Sequence, residues 1–247
     1  MLKRWKNLPP EMKTEEVRRY YDILKKKRVA LFFKRIFDIV VSAVMLIALS
    51  PVFLILAIAI KIDSPGPVFF RQVRVTQYGK KFRIFKFRTM VSNADKIGSH
   101  VTVKNDSRIT RIGSFIRKYR IDEFSQLIDV FRGTMTFVST RPESEKYVEY
   151  YTPEMMATLL LPAGVTSLAS VLYKDEAELL ENTDNADETY VKEVLPAKMY
   201  YNLKEIERFS FWQDIKIMFM TVFAVLGKEY NAETCCLKKQ KEKENIK

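Results

Sequence analysis

The sequence contains very little histidine and cysteine. Its 247 residues include one histidine, His100, and two cysteines, which stand next to each other as Cys235 and Cys236. Adjacent cysteines cannot join distant parts of a chain, and a single histidine cannot build a His/Cys metal cluster. These shortages exclude a disulfide framework and argue strongly against zinc chemistry. Any acid–base or nucleophilic chemistry must therefore use carboxylates, hydroxyls or lysines.

Glycine is also scarce, and acidic residues are outnumbered. Only seven glycines are present, which argues against repeat, collagenous and glycine-rich-loop architectures. The 42 lysines and arginines exceed the 30 acidic residues and give a formal net charge of +12. Because 47% of the residues are hydrophobic, the chain can build a core and is not disordered as a whole.

One long apolar run stands out, from Ile39 to Ile60. It has 22 residues without a charge and is bounded by Asp38 and Lys61. A helix that enters a membrane needs about 20 such residues. A signal peptide is disfavoured, because 38 residues precede the run and no small-residue cleavage site follows it. We therefore interpret the run as a membrane segment, with a buried helix of a soluble domain as the alternative.

Ser50-Pro51 interrupts this run near its middle. Proline removes a backbone donor, and the Ser50 hydroxyl can bond back to an earlier carbonyl, so both residues favour a bend. The arms on either side measure about 18 and 15 Å at 1.5 Å per residue, roughly one leaflet each. Both flanks are rich in lysine and arginine, whereas a spanning helix is basic mainly on its cytoplasmic side. We therefore favour a re-entrant helix–break–helix over a simple span.

Two further stretches have the apolar spacing of interfacial helices. The first follows Val17, Tyr20, Tyr21, Leu24 and Leu31. The second, near the C-terminus, follows Phe211, Trp212, Ile215, Phe219, Val222, Phe223 and Leu226. For both, packing against the protein's own core is the alternative. The end of the chain, 238–247, is charged and predicted to be disordered.

The region after the apolar run predicts a mixed α+β domain that is mostly helical. The stretches 68–75 and 82–90 predict a β-hairpin with a basic face. Two short helical patterns follow over 112–120 and 121–131, and Gly133 ends the second. The residues expected to point inward in the second are Ile121, Phe124, Leu127, Ile128 and Phe131. His100 falls in a polar loop and receives no role.

Asp122 and Glu123 begin the second of these helices. Acidic residues in a first turn complement the helix dipole, and this structural role is the simplest explanation of the pair. However, the pair follows Arg117 and Arg120 and lies in a chain with a basic hairpin and a membrane segment. Such a group could hold a divalent metal together with a polyphosphate, and it needs no histidine.

A series of ordered motifs resembles those of the bacterial sugar transferases, the monotopic phosphoglycosyl transferases that start glycan assembly on polyprenyl phosphate. The resemblance runs from about Lys34 to Gly227. The motifs are Lys34-Arg-Ile-Phe-Asp38, Ser50-Pro51, Gly66-Pro-Val-Phe-Phe70, Lys86-Phe-Arg-Thr-Met90, Arg108-Ile-Thr-Arg-Ile-Gly113, Ile116-Arg117, Ile121-Asp-Glu-Phe-Ser-Gln-Leu127 and Arg141-Pro142. The chain departs from the family pattern at Thr134, Thr136, Ser139, Thr140 and Ser167.

The resemblance implies transfer of a phospho-sugar from a UDP-sugar to polyprenyl phosphate, with release of UMP. It makes Asp122 the nucleophile that forms an aspartyl-phosphosugar and Glu123 its partner, the two holding Mg²⁺ or Mn²⁺. The residues expected to bind phosphate or substrate are Lys86, Arg88, Arg117, Arg141 and Pro142. It also implies a bacterial inner membrane protein whose catalytic domain faces the cytoplasm. The sugar is not specified, and its selection is expected within 163–190.

The predicted organisation has four parts. These are a basic amphipathic arm at 1–37, the re-entrant hairpin at 38–61, the catalytic domain at 62–230 and a charged disordered tail at 231–247. Two other functions are compatible with the charge. One is a non-catalytic basic membrane adaptor in which Asp122 and Glu123 only cap a helix. The other is a nucleic-acid binder, which the apolar run and the lack of a nucleic-acid motif disfavour.

Overall fold

A bent pair of long helices and two small sheets form the framework of the chain. The computed structural model describes residues 2–92, 94, 106–174 and 185–230. The longer helices are α1 (Glu15–Lys26), α2 (Arg28–Ala48), α3 (Ser50–Asp63) and α4 (Arg111–Lys118). Shorter ones follow as α5 (Leu127–Arg132), α6 (Glu145–Val148), α7 (Leu168–Leu172) and α8 (Ala186–Thr189), and α9 (Leu195–Glu207) and α10 (Phe211–Val225) complete the series. The strands are β1 (Phe69–Thr76), β2 (Lys80–Phe87), β3 (Met135–Val138) and β4 (Ala163–Thr166).

The apolar run forms α2 and α3, which meet at Leu49 with a bend of 60°. Proline at position 51 has no backbone N–H to donate, so the helical hydrogen bonds are interrupted there. The Ser50 hydroxyl donates to the Ile47 carbonyl oxygen at 2.8 Å, which confirms the predicted back-bond. Within the described residues, no single helix is long and apolar enough to cross a membrane, but the bent pair qualifies by length and composition.

The predicted hairpin is confirmed. β1 and β2 pair antiparallel, with Phe69 opposite Phe87 and Thr76 opposite Lys80. The second sheet was not predicted: β3 and β4 pair in parallel, with Met135 opposite Ala163. The Thr76 hydroxyl joins the two sheets, since it donates to the Thr134 carbonyl at 2.7 Å and accepts from the Ala163 N–H at 3.0 Å. The predicted class, α+β and mostly helical with a small hairpin, describes this architecture.

Helix α1 corrects the first interfacial prediction. Its apolar face is buried in the protein's own core, and Val17 and Leu24 are fully covered. They pack with the turn at 157–161 and with the end of α9. Helix α10 differs, because Ile217 and Met220 face the core while a row of large side chains stays exposed. The exposed residues are Trp212, Phe219, Val222, Phe223 and Leu226.

Helix α2 is attached to the rest of the protein by buried charges. Lys34 forms an ion pair with Asp214 of α10 at 2.5 Å and donates to the Val138 carbonyl at 2.8 Å. One turn further on, Asp38 accepts hydrogen bonds from the Thr136 hydroxyl at 2.7 Å and from the Phe137 N–H at 3.3 Å. Helix α2 runs without interruption through position 37, where the sequence analysis placed a domain boundary.

The second helical pattern differs from its prediction. Residues Ile121–Gln126 form a 3₁₀ helix, and the α-helix begins only at Leu127. Leu127 is buried as expected, but Phe124 and Phe131 are 42% and 48% exposed, so the inward orientation predicted for these two is wrong. Gly133 ends the helix with φ of 85°, as the C-cap prediction required. His100 and the predicted tail at 231–247 lie outside the described residues.

Candidate active site

A strained turn presents the Asp122–Glu123 pair. After α4, Arg120 adopts the left-handed conformation with φ of 53°, and the 3₁₀ helix begins at the next residue. This conformation is uncommon for a residue other than glycine, and such strain concentrates at functional sites. The Arg120 carbonyl accepts from the Glu123 N–H at 3.3 Å, and the Arg120 guanidinium donates to the Lys174 carbonyl at 3.0 Å. The two carboxylates therefore lie on a short segment that is held at its start.

Glu123 is paired with two cations. Arg141 donates from Nη1 to Oε2 at 2.9 Å and from Nη2 to Oε1 at 2.7 Å, which is the bidentate fork geometry. Lys86 donates to the same Oε1 at 3.2 Å. Burial raises the pKa of Glu123, but the charges of Arg141 and Lys86 and the Arg141 hydrogen bonds outweigh burial and hold that pKa well below its usual range. Glu123 is therefore ionised, and its charge is compensated.

Asp122 is in a different state. Its carboxylate forms no ion pair within the part of the chain that the structure describes. Burial raises the pKa of Asp122 above its ordinary value, against the opposing charge of Lys86, and the adjacent Glu123 carboxylate raises it further. A half-buried carboxylate without a paired cation is poorly solvated, which strengthens it as a nucleophile or as a ligand for a bound cation.

Arg117 lies near this pair, whereas Arg88 does not join it. Arg117 donates from Nε to the Thr89 hydroxyl at 3.0 Å, and burial lowers its pKa against the opposing charge of Asp122. Arg88 is 6% exposed, and its guanidinium donates to the carbonyls of Ser64 and Pro65 at 2.5 and 2.7 Å. Arg88 therefore stabilises the C-terminal end of α3. Because its guanidinium is buried and bonded to these carbonyls, the geometry does not support the predicted phosphate-binding role.

The neighbouring strands position Lys86 and Arg141. The Asp129 carboxylate of α5 accepts from the Phe85 N–H at 2.8 Å, directly before Lys86. Arg141 follows β3, where Gly164 of β4 approaches so closely that a Cβ would lie 2.1 Å from the Ser139 carbonyl oxygen. The Gly164 N–H also donates to the Thr140 carbonyl at 2.8 Å. These contacts bring Lys86 and Arg141, 55 residues apart in the chain, to one carboxylate.

A second buried cluster supports the loop after Arg141, and the sequence analysis did not find it. Glu143 accepts from the Tyr190 hydroxyl at 2.6 Å and lies 3.4 Å from the Lys198 ammonium. Pro142, predicted at the site, offers its carbonyl to Arg74 at 3.5 Å. The sequence contains only a weak indication of this cluster. Tyr190 and Lys198 are eight residues apart on helical segments, and that spacing is equally common on a solvent-exposed helix face.

The departures from the family pattern form ordinary structural contacts. Ser167 caps α7 by accepting from the Ser170 N–H at 3.1 Å, and Thr136 bonds Asp38. Thr134 donates to the Asp129 carbonyl at 3.1 Å. In the described residues, none of these three side chains hydrogen-bonds to Asp122 or Glu123. These three substitutions therefore leave the hydrogen bonds of the pair unchanged.

The carboxylate oxygens of the pair fit a hard divalent cation such as Mg²⁺ that takes only one or two protein carboxylates. Within residues 2–92, 94, 106–174 and 185–230, no three His, Cys, Asp or Glu side chains converge on a common point. A carboxylate offers about four lone-pair positions, and Arg141 and Lys86 occupy three of those of Glu123. Mg²⁺ commonly takes one or two carboxylates and completes its shell with water and substrate phosphates. Asp122 and the remaining position on Glu123 fit that pattern.

Comparison with known proteins identifies the family. Residues 29–228 match the family model of the bacterial sugar transferases, which is most of the chain and includes all the residues of the cluster. The chain belongs to the bacterial sugar transferase family. The resemblance in the ordered motifs is thereby confirmed, and the cluster around Glu123 lies within the matched region of this sugar transferase.

Named relatives of this sugar transferase act on undecaprenyl phosphate. A UDP-glucose:undecaprenyl-phosphate glucose-1-phosphate transferase of Klebsiella pneumoniae is 36% identical over 201 residues, which are 79% of this chain and 40% of the relative. A UDP-N-acetylgalactosamine-undecaprenyl-phosphate N-acetylgalactosaminephosphotransferase of Aeromonas hydrophila is 35% identical, covering 79% and 44%. A glucose-1-phosphate transferase of Caulobacter vibrioides is 34% identical, covering 78% and 69%. The chain thus spans less than half the length of the first two relatives.

Proposed function

We propose that this protein transfers a phospho-sugar from a UDP-sugar to polyprenyl phosphate, such as undecaprenyl phosphate, and releases UMP. The observation that carries the proposal is that the two adjacent carboxylates have different surroundings. Glu123 is compensated by Arg141 and Lys86, while Asp122 beside it is half-buried and forms no ion pair among the described residues. Family membership and the names of the relatives support the reaction class.

The proposed reaction has two displacements at phosphorus. In the first, an Asp122 carboxylate oxygen attacks the β-phosphorus of the donor, the bond to the bridging oxygen breaks, and UMP leaves with the electron pair. An aspartyl-phosphosugar remains. In the second, an oxygen of the acceptor phosphate attacks the same phosphorus and the bond to Asp122 breaks. The product is a polyprenyl-diphospho-sugar, and the Asp122 carboxylate is regenerated.

The cations around the pair provide the electrostatic part of the mechanism. Two anionic substrates approach a carboxylate only if their charge is compensated. Arg141 and Lys86 are held in place by Glu123, so their positive charge stays beside the proposed nucleophile. Arg117, near Asp122, adds a third positive charge. Glu123 therefore acts chiefly as the anchor of these cations.

We further propose that the reaction needs Mg²⁺ or Mn²⁺, held by Asp122 and the remaining lone pair of Glu123. The ion would neutralise the donor diphosphate as UMP leaves. Hard oxygen ligands predict that these metals, rather than soft ones, restore activity after chelation. UMP release should stop in EDTA and return with excess Mg²⁺. Undiminished release after thorough chelation would remove the metal from the mechanism.

We also propose a re-entrant anchor on the cytoplasmic face of the inner membrane, and the 60° bend between α2 and α3 supports the re-entrant part of this proposal. Many large apolar side chains of the pair are exposed, such as Val44, Ile47 and Ile55 at 61%, 76% and 65%. Because the acceptor phosphate lies at headgroup depth, an anchor of this kind keeps the nucleophile at that depth. Cysteines introduced near residues 30 and 65 should be labelled from the same side. Labelling of one and protection of the other would contradict the re-entrant arrangement.

The nucleophile is tested by Asp122→Asn. Asparagine keeps the size of the side chain and is tolerated in this first turn, so a residue that only complements a helix end would lose at most about 1 kcal/mol of stability. Loss of the attacking carboxylate should instead reduce turnover by several orders of magnitude, on the order of 10⁴-fold or more. Turnover is measured as UMP release with a UDP-sugar panel, Mg²⁺ and undecaprenyl phosphate.

Covalent trapping gives a second readout on the same variant. Incubation with radiolabelled UDP-sugar without acceptor should leave label on the wild-type chain and none on Asp122→Asn. Asp22→Asn is a suitable control, because Asp22 is a half-exposed carboxylate of α1 that pairs with Arg18 at 3.1 Å, away from the proposed site. A folded Asp122→Asn protein that releases UMP at a near-normal rate would refute the covalent mechanism. Release of no UMP by the wild-type protein would favour the non-catalytic adaptor.

A further inference from the structure

A large cavity adjoins the Asp122–Glu123 pair. It has a volume of about 810 Å³ and lies among α2, α5, α7 and α10. Most of its wall is apolar, with Phe37, Phe137, Val171 and Met218 among the lining side chains. The mechanism proposed above uses only Glu123 and Arg141 of this wall. The rest of the cavity has no role in the first displacement.

One end of the cavity is strongly cationic. Lys118, Arg120, Lys174 and Arg141 line this part, against the single carboxylate of Glu123. Four positive groups against one negative group favour an anionic ligand. Glu123 lines this end of the cavity, and Asp122 is the residue before it in the chain. An anion bound there would therefore lie close to the proposed nucleophile.

The cavity also reaches the exposed apolar row of α10. Three lining residues, Phe219, Val222 and Val225, are 62%, 55% and 51% exposed. An apolar wall that continues into exposed apolar side chains allows a long hydrocarbon to enter from a lipid phase. The chemistry of the cavity is thus amphipathic, with an anion site at one end and an apolar opening along α10.

We propose that this cavity binds the acceptor lipid, with its phosphate at the cationic end and its first isoprene units between α7 and α10. This inference rests on the proposed function. The polar head of a UDP-sugar fits the wall poorly, because buried sugar and uracil groups need hydrogen-bond partners. The hydroxyls of Thr166 and Thr221, which line the wall, already bond each other at 2.7 Å. The remainder of the polyprenyl chain continues into the surrounding lipid.

The first test compares two phenylalanines of the same helix. Phe219→Ala removes a side chain that lines the cavity, whereas Phe223→Ala removes an exposed one that does not. Both variants lose similar contact with lipid, so membrane attachment should change equally. Phe219→Ala should raise the KM for polyprenyl phosphate about tenfold, which corresponds to about 1.4 kcal/mol of binding. Phe223→Ala should leave this KM within about twofold of wild type, and equal effects of the two would overturn the proposal.

The cationic end is tested by the variants Lys118→Gln and Lys216→Gln. Lys118 lines the cavity, and Lys216 is an exposed lysine of α10 outside it. Only Lys118→Gln should weaken the acceptor. Label transfer from UDP-sugar to the protein without acceptor should stay unchanged in both. A fall in this first half-reaction for Lys118→Gln would assign the cationic end to the donor and overturn the proposal.

Photolabelling tests the site without relying on turnover. The probe is a polyprenyl phosphate with a diazirine in its first isoprene unit, added to the full protein in neutral phospholipid vesicles. Labelled peptides should come from 165–171 and 211–227, and unlabelled undecaprenyl phosphate should compete while UDP-sugar and the phosphate-free polyprenol should not. Labelling elsewhere, or displacement by UDP-sugar, would overturn the proposal. Because this result does not depend on an aspartyl intermediate, it separates failure of the cavity assignment from failure of the mechanism.

Discussion

Two charged clusters of this protein differ in whether all their carboxylates have partners inside the fold. In the cluster at α2, Lys34 pairs with Asp214, and Asp38 accepts hydrogen bonds from Thr136 and the Phe137 N–H, so the buried charge is satisfied by groups inside the fold. In the cluster at the 3₁₀ helix, Glu123 is satisfied in the same manner, but Asp122 forms no ion pair among the described residues. A carboxylate left without compensation in a half-buried position indicates a place where substrate or metal completes the charge.

The same difference separates an anchor from an active site. A satisfied buried network fixes geometry and has no remaining capacity for a ligand. The anchor at α2 attaches the bent pair α2–α3 to β3, and β3 leads directly to Arg141. The position of the proposed active site relative to the bent pair α2–α3 therefore depends on Lys34 and Asp38. This dependence makes the two clusters separable by experiment, since one should control stability and the other turnover.

The largest expected effect is on stability, at the anchor. Lys34→Met leaves Asp214 buried without its partner, which costs about 3–5 kcal/mol for a pair of this kind. Lys61→Met removes an exposed lysine from α3 and should cost less than about 0.5 kcal/mol. The double variant with Lys34→Met and Asp214→Leu should recover part of the loss, because the Asp214 carboxylate is removed together with its partner, while Asp38 keeps its hydrogen bonds to Thr136 and Phe137. Denaturant unfolding of the protein in nanodiscs measures all three, and a mild effect of Lys34→Met would show that the network is not an anchor.

A second prediction tests whether turnover needs the bidentate geometry of Arg141 or only its positive charge. Arg141→Lys keeps the charge but cannot form both bonds to Glu123. Turnover should fall about 100-fold, as when one preorganised donor to a transition state is lost. Arg111→Lys, at an exposed position of α4, is the matched control and should remain near wild type. If Arg141→Lys lowers the unfolding free energy and leaves UMP release unchanged, the fork is structural.

The smallest expected effect is a shift in pH dependence. Burial raises the pKa of Asp122, and Glu123 raises it further, whereas the pKa of Glu123 itself is lowered. The acid limb of the pH–rate profile should therefore report Asp122, with activity lost as pH falls through its pKa. Glu123→Gln removes a neighbouring negative charge and should move that limb to lower pH. Glu149→Gln, at an exposed position, should not move it, and an unmoved limb in Glu123→Gln would exclude Asp122 as the titrating group.

Several elements could be predicted because their cause is local. The hairpin follows from alternating side chains in two neighbouring runs, and the bend follows from the missing donor of Pro51 and the hydroxyl of Ser50. The β3–β4 pair was missed, because each strand has four residues and their pairing connects distant segments. Helix α1 was misinterpreted, because periodicity identifies an apolar face but not what covers it. Lipid and core require the same pattern of side chains.

The candidate pair illustrates the same limit at the site. Asp122 and Glu123 could be selected from the sequence, and the ordered motifs indicated the family. What each carboxylate does could not be read there, since the residues that distinguish them come from β2 and from the loop after β3. The hydrogen-bond partners of Arg88, the Ser64 and Pro65 carbonyls, are also known only from the tertiary structure. They show that Arg88 holds the C-terminal end of α3.

The sequence by itself determined the chemistry available to this protein, the apolar run with its break and the family. These depend on residue types and short spacings, which are properties of the chain alone. Tertiary structure decided that Glu123 is paired with Arg141 and Lys86 while Asp122 has no ion pair among the described residues, that the apolar face of α1 is buried, and that a cationic cavity opens along α10. Each of these depends on charges and apolar faces brought together from distant segments, and burial and electrostatic energies depend on distance in space.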